Sequence, residues 1–174
     1  MKLFIAALLC LPAWQSVGAS PFGQGLFGAD VPFGSDTSLS IALGSDPSIS
    51  MTPSGPNFTG SATNQVTVTT TDVVGYRLYV YCPTSCNMVN GSDTIAASGN
   101  TSAGSLATDT WGYNIDASSN YLGMTTSPAV LKDANGPYKN GDLTTVTYGV
   151  LAGPTKAAGD YTVSVVYTAV AKSQ

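Results

Sequence analysis

Two cysteines stand with three residues between them in the segment Cys82-Pro83-Thr84-Ser85-Cys86. A redox C-x-x-C motif has one residue fewer between its thiols, so that chemistry is excluded by spacing. Two thiols without a second pair, in a chain with no histidine, cannot complete a tetrahedral metal shell. In an exported chain such a pair fits a disulfide closing a small loop, with free thiols as the alternative. All 10 acids are aspartate, so the chain lacks both Glu and His. Without His, the commonest general base and the commonest transition-metal ligand are missing. The aspartates stand mostly in turns or beside small polar residues, where turn chemistry accounts for them. No G-x-S-x-G nucleophile elbow is present. No catalytic residue is assigned, and an enzyme is not expected. Calcium is the one cofactor worth weighing: Asp133, Asn135, Asn140 and Asp142 offer oxygen ligands close together, but not at EF-hand spacing. Solvated turns explain the same residues. Asn57, Asn90 and Asn100 open N-x-S/T glycosylation triplets. Tyr79, Tyr81, Tyr121 and Tyr138 would suit an adhesive or carbohydrate-stacking surface, or else core and cross-strand packing.

Whatever these residues do, the composition limits the partners. Charged residues make up 9% of the 174-residue chain, against roughly 25% in ordinary globular domains. The net charge of −4 argues against a nucleic-acid partner. Thr, Ser, Gly, Ala and Val fill the space, and they favour strands and turns over helices. The start reads as an export signal. Met1-Lys2 is a short positive region, an apolar run follows to Trp14, and Val17-Gly18-Ala19 approximates a cleavage site. That run is too short for a spanning helix, which needs about 20 residues. Cys10 lies within it, but Leu9 precedes it where a lipoprotein signal would want a small residue. The expected organisation is a signal peptide over residues 1–19, a Gly/Pro/Phe-rich leader over 20–36 and a β-domain over 37–174. The mature protein is expected to be secreted to the cell surface, with no membrane span.

The leader contains Pro-Phe-Gly twice, at Pro21 and Pro32. Phe22, Leu26, Phe27 and Phe33 are too apolar for a plain linker. With Leu39, Ile41 and Leu43, which alternate with small residues in the next segment, they form a candidate arm for docking on another subunit by strand addition.

Period-two alternation dominates the rest. Leu39/Ile41/Leu43 mark a first strand and Ile49/Met51 a second, with a loop over 53–60. Val66/Val68 mark a Thr/Val strand. Tyr76/Leu78/Val80/Cys82 form one strand face, with Arg77/Tyr79/Tyr81 on the other. A short strand is expected over 94–97, and Trp111/Tyr113/Ile115 mark another. Residues 143–171 hold two long alternating runs around a Gly153-Pro154 turn and read as a closing hairpin. Trp111, Tyr113, Tyr148 and Tyr167 are the expected core anchors, since a large aromatic removes ~150–250 Å² from water. About eight to ten strands and no helix after the signal predict an antiparallel β-sandwich, Ig-like or jelly-roll in type.

The order of Thr110-Trp-Gly-Tyr-Asn114, then T-T-V-T-Y-G-V from Thr144, then A-G-D-Y-T-V-S-V-V-Y-T-A-V-A from Ala158 resembles exported Ig-like surface domains of uncultured, small-genome bacteria. V-T-V-T-T-T-D-V-V-G-Y-R-L from Val66 resembles their opening strand pair, so the resemblance covers about residues 60–171. It implies a structural or adhesive surface role and supplies no catalytic residues. The reading that follows is an exported structural subunit of a pilus, filament or surface layer, partnered by copies of itself in a homopolymer. The alternative is a monomeric adhesin or glycan-binding module that contacts a host surface.

Overall fold

The structure, a computed structural model, describes residues 4–5 and 37–172. The described chain is all β: β1 (Phe4–Ile5), β2 (Ser38–Leu43), β3 (Thr52–Ser54), β4 (Asn57–Thr71), β5 (Gly75–Tyr81), β6 (Met88–Asn90), β7 (Asp93–Ala97), β8 (Thr110–Asn114), β9 (Ala129–Asn135), β10 (Asp142–Ala152) and β11 (Ser164–Ala171). Seven strands form one sheet in the order β2-β4-β10-β8-β7-β6, with β3 added on β4. Four form the other, in the order β1-β11-β5-β9. Most neighbours are antiparallel; β7 runs parallel to β8, and β1 parallel to β11.

The alternation read in the sequence sets which side chains face inward. Val66 and Val68 of β4 and Val146, Tyr148 and Val150 of β10 line one sheet's inner face. Tyr76, Leu78 and Val80 of β5 and Val165 and Tyr167 of β11 line the other, and all are fully buried. Trp111 and Tyr113 close the middle of this core. The Trp111 indole lies 6.2 Å from the Tyr148 ring, at 45° to it.

The closing hairpin expected over residues 143–171 does not form. β10 pairs with β4 and β8, whereas β11 pairs with β5 in the opposite sheet. Residues 153–163 cross between the layers. The two runs meet face to face, through a hydrogen bond between the Tyr148 and Tyr167 hydroxyls inside the core. Alternation fixes which face is apolar and leaves the partner strand unspecified.

Two further expectations change. The loop expected over 53–60 is the tight turn between β3 and β4, where Ser54 pairs with Asn57. Gly55 takes φ 59°, and Pro56 is held at negative φ by its ring. That sign pattern belongs to a type II′ hairpin turn. Ile49 and Met51 lie outside any strand, between β2 and β3. They cross β4 over Gly60, where an added Cβ would sit 2.7 Å from the Ile49 Cγ2 atom.

Candidate functional site

Two edges and one end of the sandwich carry the features that could serve a partner. β11 is covered by β5 from Val166 to Ala171. On its other side, among the described residues, only Phe4 and Ile5 pair with it, at Ser164 and Val165. Both belong to the predicted signal segment. The next element along that side is β2, the edge of the other sheet, which approaches β11 across the seam between the layers.

β2 is completed within its own chain. Leu39, Ile41 and Leu43 sit opposite Thr70, Val68 and Val66 of β4. Their side chains are half-buried against the core, at the rim of the seam. The remaining docking candidates, Phe22, Leu26, Phe27 and Phe33, lie outside the described residues.

The two ends of the sandwich differ. At the Phe58 end, the crossover 153–163 roofs an apolar cavity of about 280 Å³. Met51, Phe58, Ile95, Ala152 and Tyr161 line it, with the stem of Lys156 at its lip. Hydrogen bonds hold the roof. The Gly153 amide donates to Asp109 Oδ1 at 2.8 Å, Lys156 Nζ to the Thr94 carbonyl at 2.9 Å, and the Tyr161 hydroxyl to the Ala157 carbonyl at 3.0 Å. Phe58 is 38% exposed at the mouth.

The Cys82–Cys86 disulfide lies at the same end, with its Cα atoms 5.4 Å apart. Its Cys86 carbonyl accepts the Trp111 indole N–H at 2.7 Å, which ties the loop to the core. A second cavity of about 290 Å³ lies between this loop and the start of β11.

The Thr71 end is polar. The Tyr76 hydroxyl donates to Asp142 Oδ2 and Lys132 Nζ to Asp142 Oδ1, each at 2.7 Å. Burial first, then the Asp142 carboxylate, raises the Tyr76 phenol far above its usual pKa. On the outer face of β5 and β9, Asp133 is bound by Lys172 and by Arg77. These two cations hold its carboxyl below the usual range, Lys172 contributing most. Lys172 also donates to Asn135 Oδ1 at 2.9 Å. The residues weighed for calcium are therefore split, with Asp133 and Asn135 around Lys172 and Asp142 between Lys132 and Tyr76. Among the described residues, no group of three His, Cys, Asp or Glu side chains is placed to hold a metal.

The tyrosines divide as well. Tyr138 packs edge-on against Tyr76 at 5.8 Å. Tyr121 lies over Gly149 and Gly112, which face each other on β10 and β8; a Cβ on Gly149 would fall 2.3 Å from its ring. Nothing in the strand alternation marks that slot; the paired glycines were its one signal. Tyr79 and Tyr81 remain on the outer face of β5, half-buried. Of the sequons, the Asn100 amide donates to the carbonyls of Gly104, Ser105 and Tyr121, each at 3.1 Å. Asn90 reaches the Ala158 carbonyl at 3.4 Å, and Asn57 is half-buried at the start of β4.

Trp111, Tyr148 and Tyr167 are fully buried and Tyr113 nearly so. Burial raises the phenol pKa of Tyr148 and Tyr167 well above its ordinary value. No helix among the described residues is long and apolar enough to cross a membrane. Comparison with protein-family models, curated proteins and solved structures finds no match.

Proposed function

We propose that this is an exported structural subunit of the cell surface, assembling into a filament or layer by adding its N-terminal segment to the β11 edge of a neighbouring copy. The observation that carries this is the state of that edge. Cleavage after Ala19 removes Phe4 and Ile5, the two residues paired on the outer side of β11 among those described. The strand left behind, Ser-Val-Val-Tyr-Thr-Ala-Val-Ala, has neither a charge nor a proline. An edge of that kind is a template for another strand. The leader enters the described structure at the Thr71 end, because Ser38 pairs with Thr71. β11 begins at the opposite end. A leader reaching from one subunit into the Ser164 end of the next would run antiparallel to β11, the more stable way to pair. Its backbone would supply affinity and its alternate side chains specificity.

The test is electron microscopy and sedimentation of the chain beginning at Ser20, with and without residues 20–36. Polymers that require the leader support the proposal. Monodisperse monomers of the Ser20 chain at high concentration overturn it.

A second reading, a monomeric glycan-binding module, is favoured by Tyr79 and Tyr81 on the outer face, with Arg77 next along the same face beyond Tyr79. It predicts glycan-array signals that disappear in Tyr79→Ala.

A further inference from the structure

We infer that the apolar cavity at the Phe58 end receives Phe33 from the leader of a second copy, so that subunits stack head to tail. This rests on the assembly reading above and names the contact that would set its geometry.

The first support is position. β4 runs the length of the sandwich, with Phe58 near one end and Thr71 at the other. At about 3.3 Å per residue the two lie about 43 Å apart. The leader joins the domain at the Thr71 end and the cavity opens at the Phe58 end. Phe33 precedes Ser38 by five residues, a reach of about 17 Å. That spans a junction between two stacked domains. To fill its own cavity, the leader would have to double back along nearly the whole sandwich, which places Phe33 far short of it.

The second support is shape. The cavity is preformed, because its roof is hydrogen-bonded to β7 and to the segment before β8. Its walls are apolar, and its volume of about 280 Å³ admits one aromatic ring with room to spare. Pro32 restricts the backbone before Phe33, which lowers the ordering cost of docking. Gly34 allows the chain to pass close to the cavity rim. Residues 20–31 then remain to lie along β11, whose eight residues they can cover.

The third support is charge. Toward the Thr71 end Arg77, Lys132, Lys139 and Lys172 stand with Asp72, Asp116, Asp133 and Asp142, and the charges balance. At the Phe58 end Lys156 stands against Asp93, Asp109 and Asp160, an excess of two negative charges. Head-to-tail stacking sets the negative Phe58 end against the balanced end, whereas pairing two Phe58 ends would bring like charges together. A contact between two different surfaces of one chain does not close on itself unless it forms a ring, so it propagates.

The experiment uses the chain beginning at Ser20 and two variants, Phe33→Ser and Ala158→Trp. Ala158 is an exposed residue at the cavity mouth, so the indole blocks entry without entering the core. Circular dichroism and thermal melts first confirm that both variants fold. Each variant alone should raise the concentration needed for polymers by about tenfold or more, the scale of one buried Phe side chain. An equimolar mixture should give one-to-one dimers in sedimentation velocity and nothing longer. In that dimer the intact leader of the Ala158→Trp chain occupies the intact cavity of the Phe33→Ser chain. Polymerisation of both variants at the wild-type concentration overturns the cavity assignment. So does a mixture that stays monomeric while wild type polymerises, which is the outcome for a leader held in its own cavity. If polymers persist after residues 20–36 are deleted, the strand-addition reading falls as well, so the two failures are distinguishable.

Discussion

Reduction of the Cys82–Cys86 disulfide should lower the melting temperature of the Ser20 chain by about 7 °C while leaving the native fold intact at room temperature. The two cysteines are four positions apart. A closed loop of about five residues removes about 7 cal/mol/K from the unfolded chain, or about 2 kcal/mol at 25 °C. An unfolding entropy of ~2.1 cal/mol/K per residue over a domain of roughly 136 residues gives ~0.29 kcal/mol/K, and the quotient is about 7 °C. The native state should be little changed, because the loop is held independently. Cys82 is buried, its amide donates to the Thr125 carbonyl at 3.0 Å, and the Cys86 carbonyl accepts the Trp111 indole.

The assay is calorimetry with and without a phosphine reductant, with thiol content checked by mass spectrometry. The chain beginning at Ser20 lacks Trp14, leaving Trp111 as its single tryptophan reporter. Its emission should stay that of a buried indole in the reduced protein at 25 °C. Complete reduction with a melting shift below about 2 °C would refute the unfolded-state account. A red-shifted indole before any unfolding would refute it differently, by showing that the bridge maintains native packing.

Three more outcomes follow from the core. Tyr148→Phe should cost about 1–3 kcal/mol in urea unfolding because it strands the buried Tyr167 hydroxyl, while the double variant with Tyr167→Phe should cost less than the two single changes together. Strictly additive costs would mean that the pair is uncoupled. The same tyrosines predict alkaline instability. Their native pKa values are raised by burial, so the stability they confer is present below the unfolded pKa of about 10 and lost above it. Two such groups give a fall of about 2.7 kcal/mol per pH unit above that point, and a urea midpoint unchanged between pH 9 and 11 would contradict it. Finally, Gly149→Val should cost about 1–3 kcal/mol by displacing the Tyr121 ring, and combining it with Tyr121→Ala should recover part of the loss.

The fold was legible where one face of a strand is buried and the other wet. Val66 and Val68, Tyr76 to Cys82, and Trp111 and Tyr113 all announce their inward faces by parity alone. Pairing was not legible, because parity is local. The runs ending at Ala152 and Ala171 look like two arms of one hairpin, yet they belong to opposite sheets. Their separation by residues 153–163 fits a layer crossing as well as a loose hairpin, and only the shared core contact of Tyr148 and Tyr167 distinguishes them. The β6–β7 hairpin was hidden in a polar stretch. Its signal was Asn90-Gly91-Ser92-Asp93, with Gly91 at φ 58°. The apolar cavity could not be read at all, since Met51, Ile95 and Tyr161 converge from segments distant in sequence.

The two edges of the smaller sheet bear on the proposal that β11 is the acceptor. β9, at the far side of the same sheet, carries the protections that isolated edges need. It follows Pro128, displays Lys132 and Asp133, and breaks register against β5 between Leu78 and Tyr79. A charged, bulged edge of that kind resists the addition of a strand. β11 has the opposite character, rich in β-branched residues, uncharged and in unbroken register with β5 from Val166 to Ala171. Among the described residues, one edge of this sheet thus carries charge and a bulge and the other carries neither. The asymmetry is what the proposed assembly requires, since there the edge without such protections is the one that a neighbour's leader would cover.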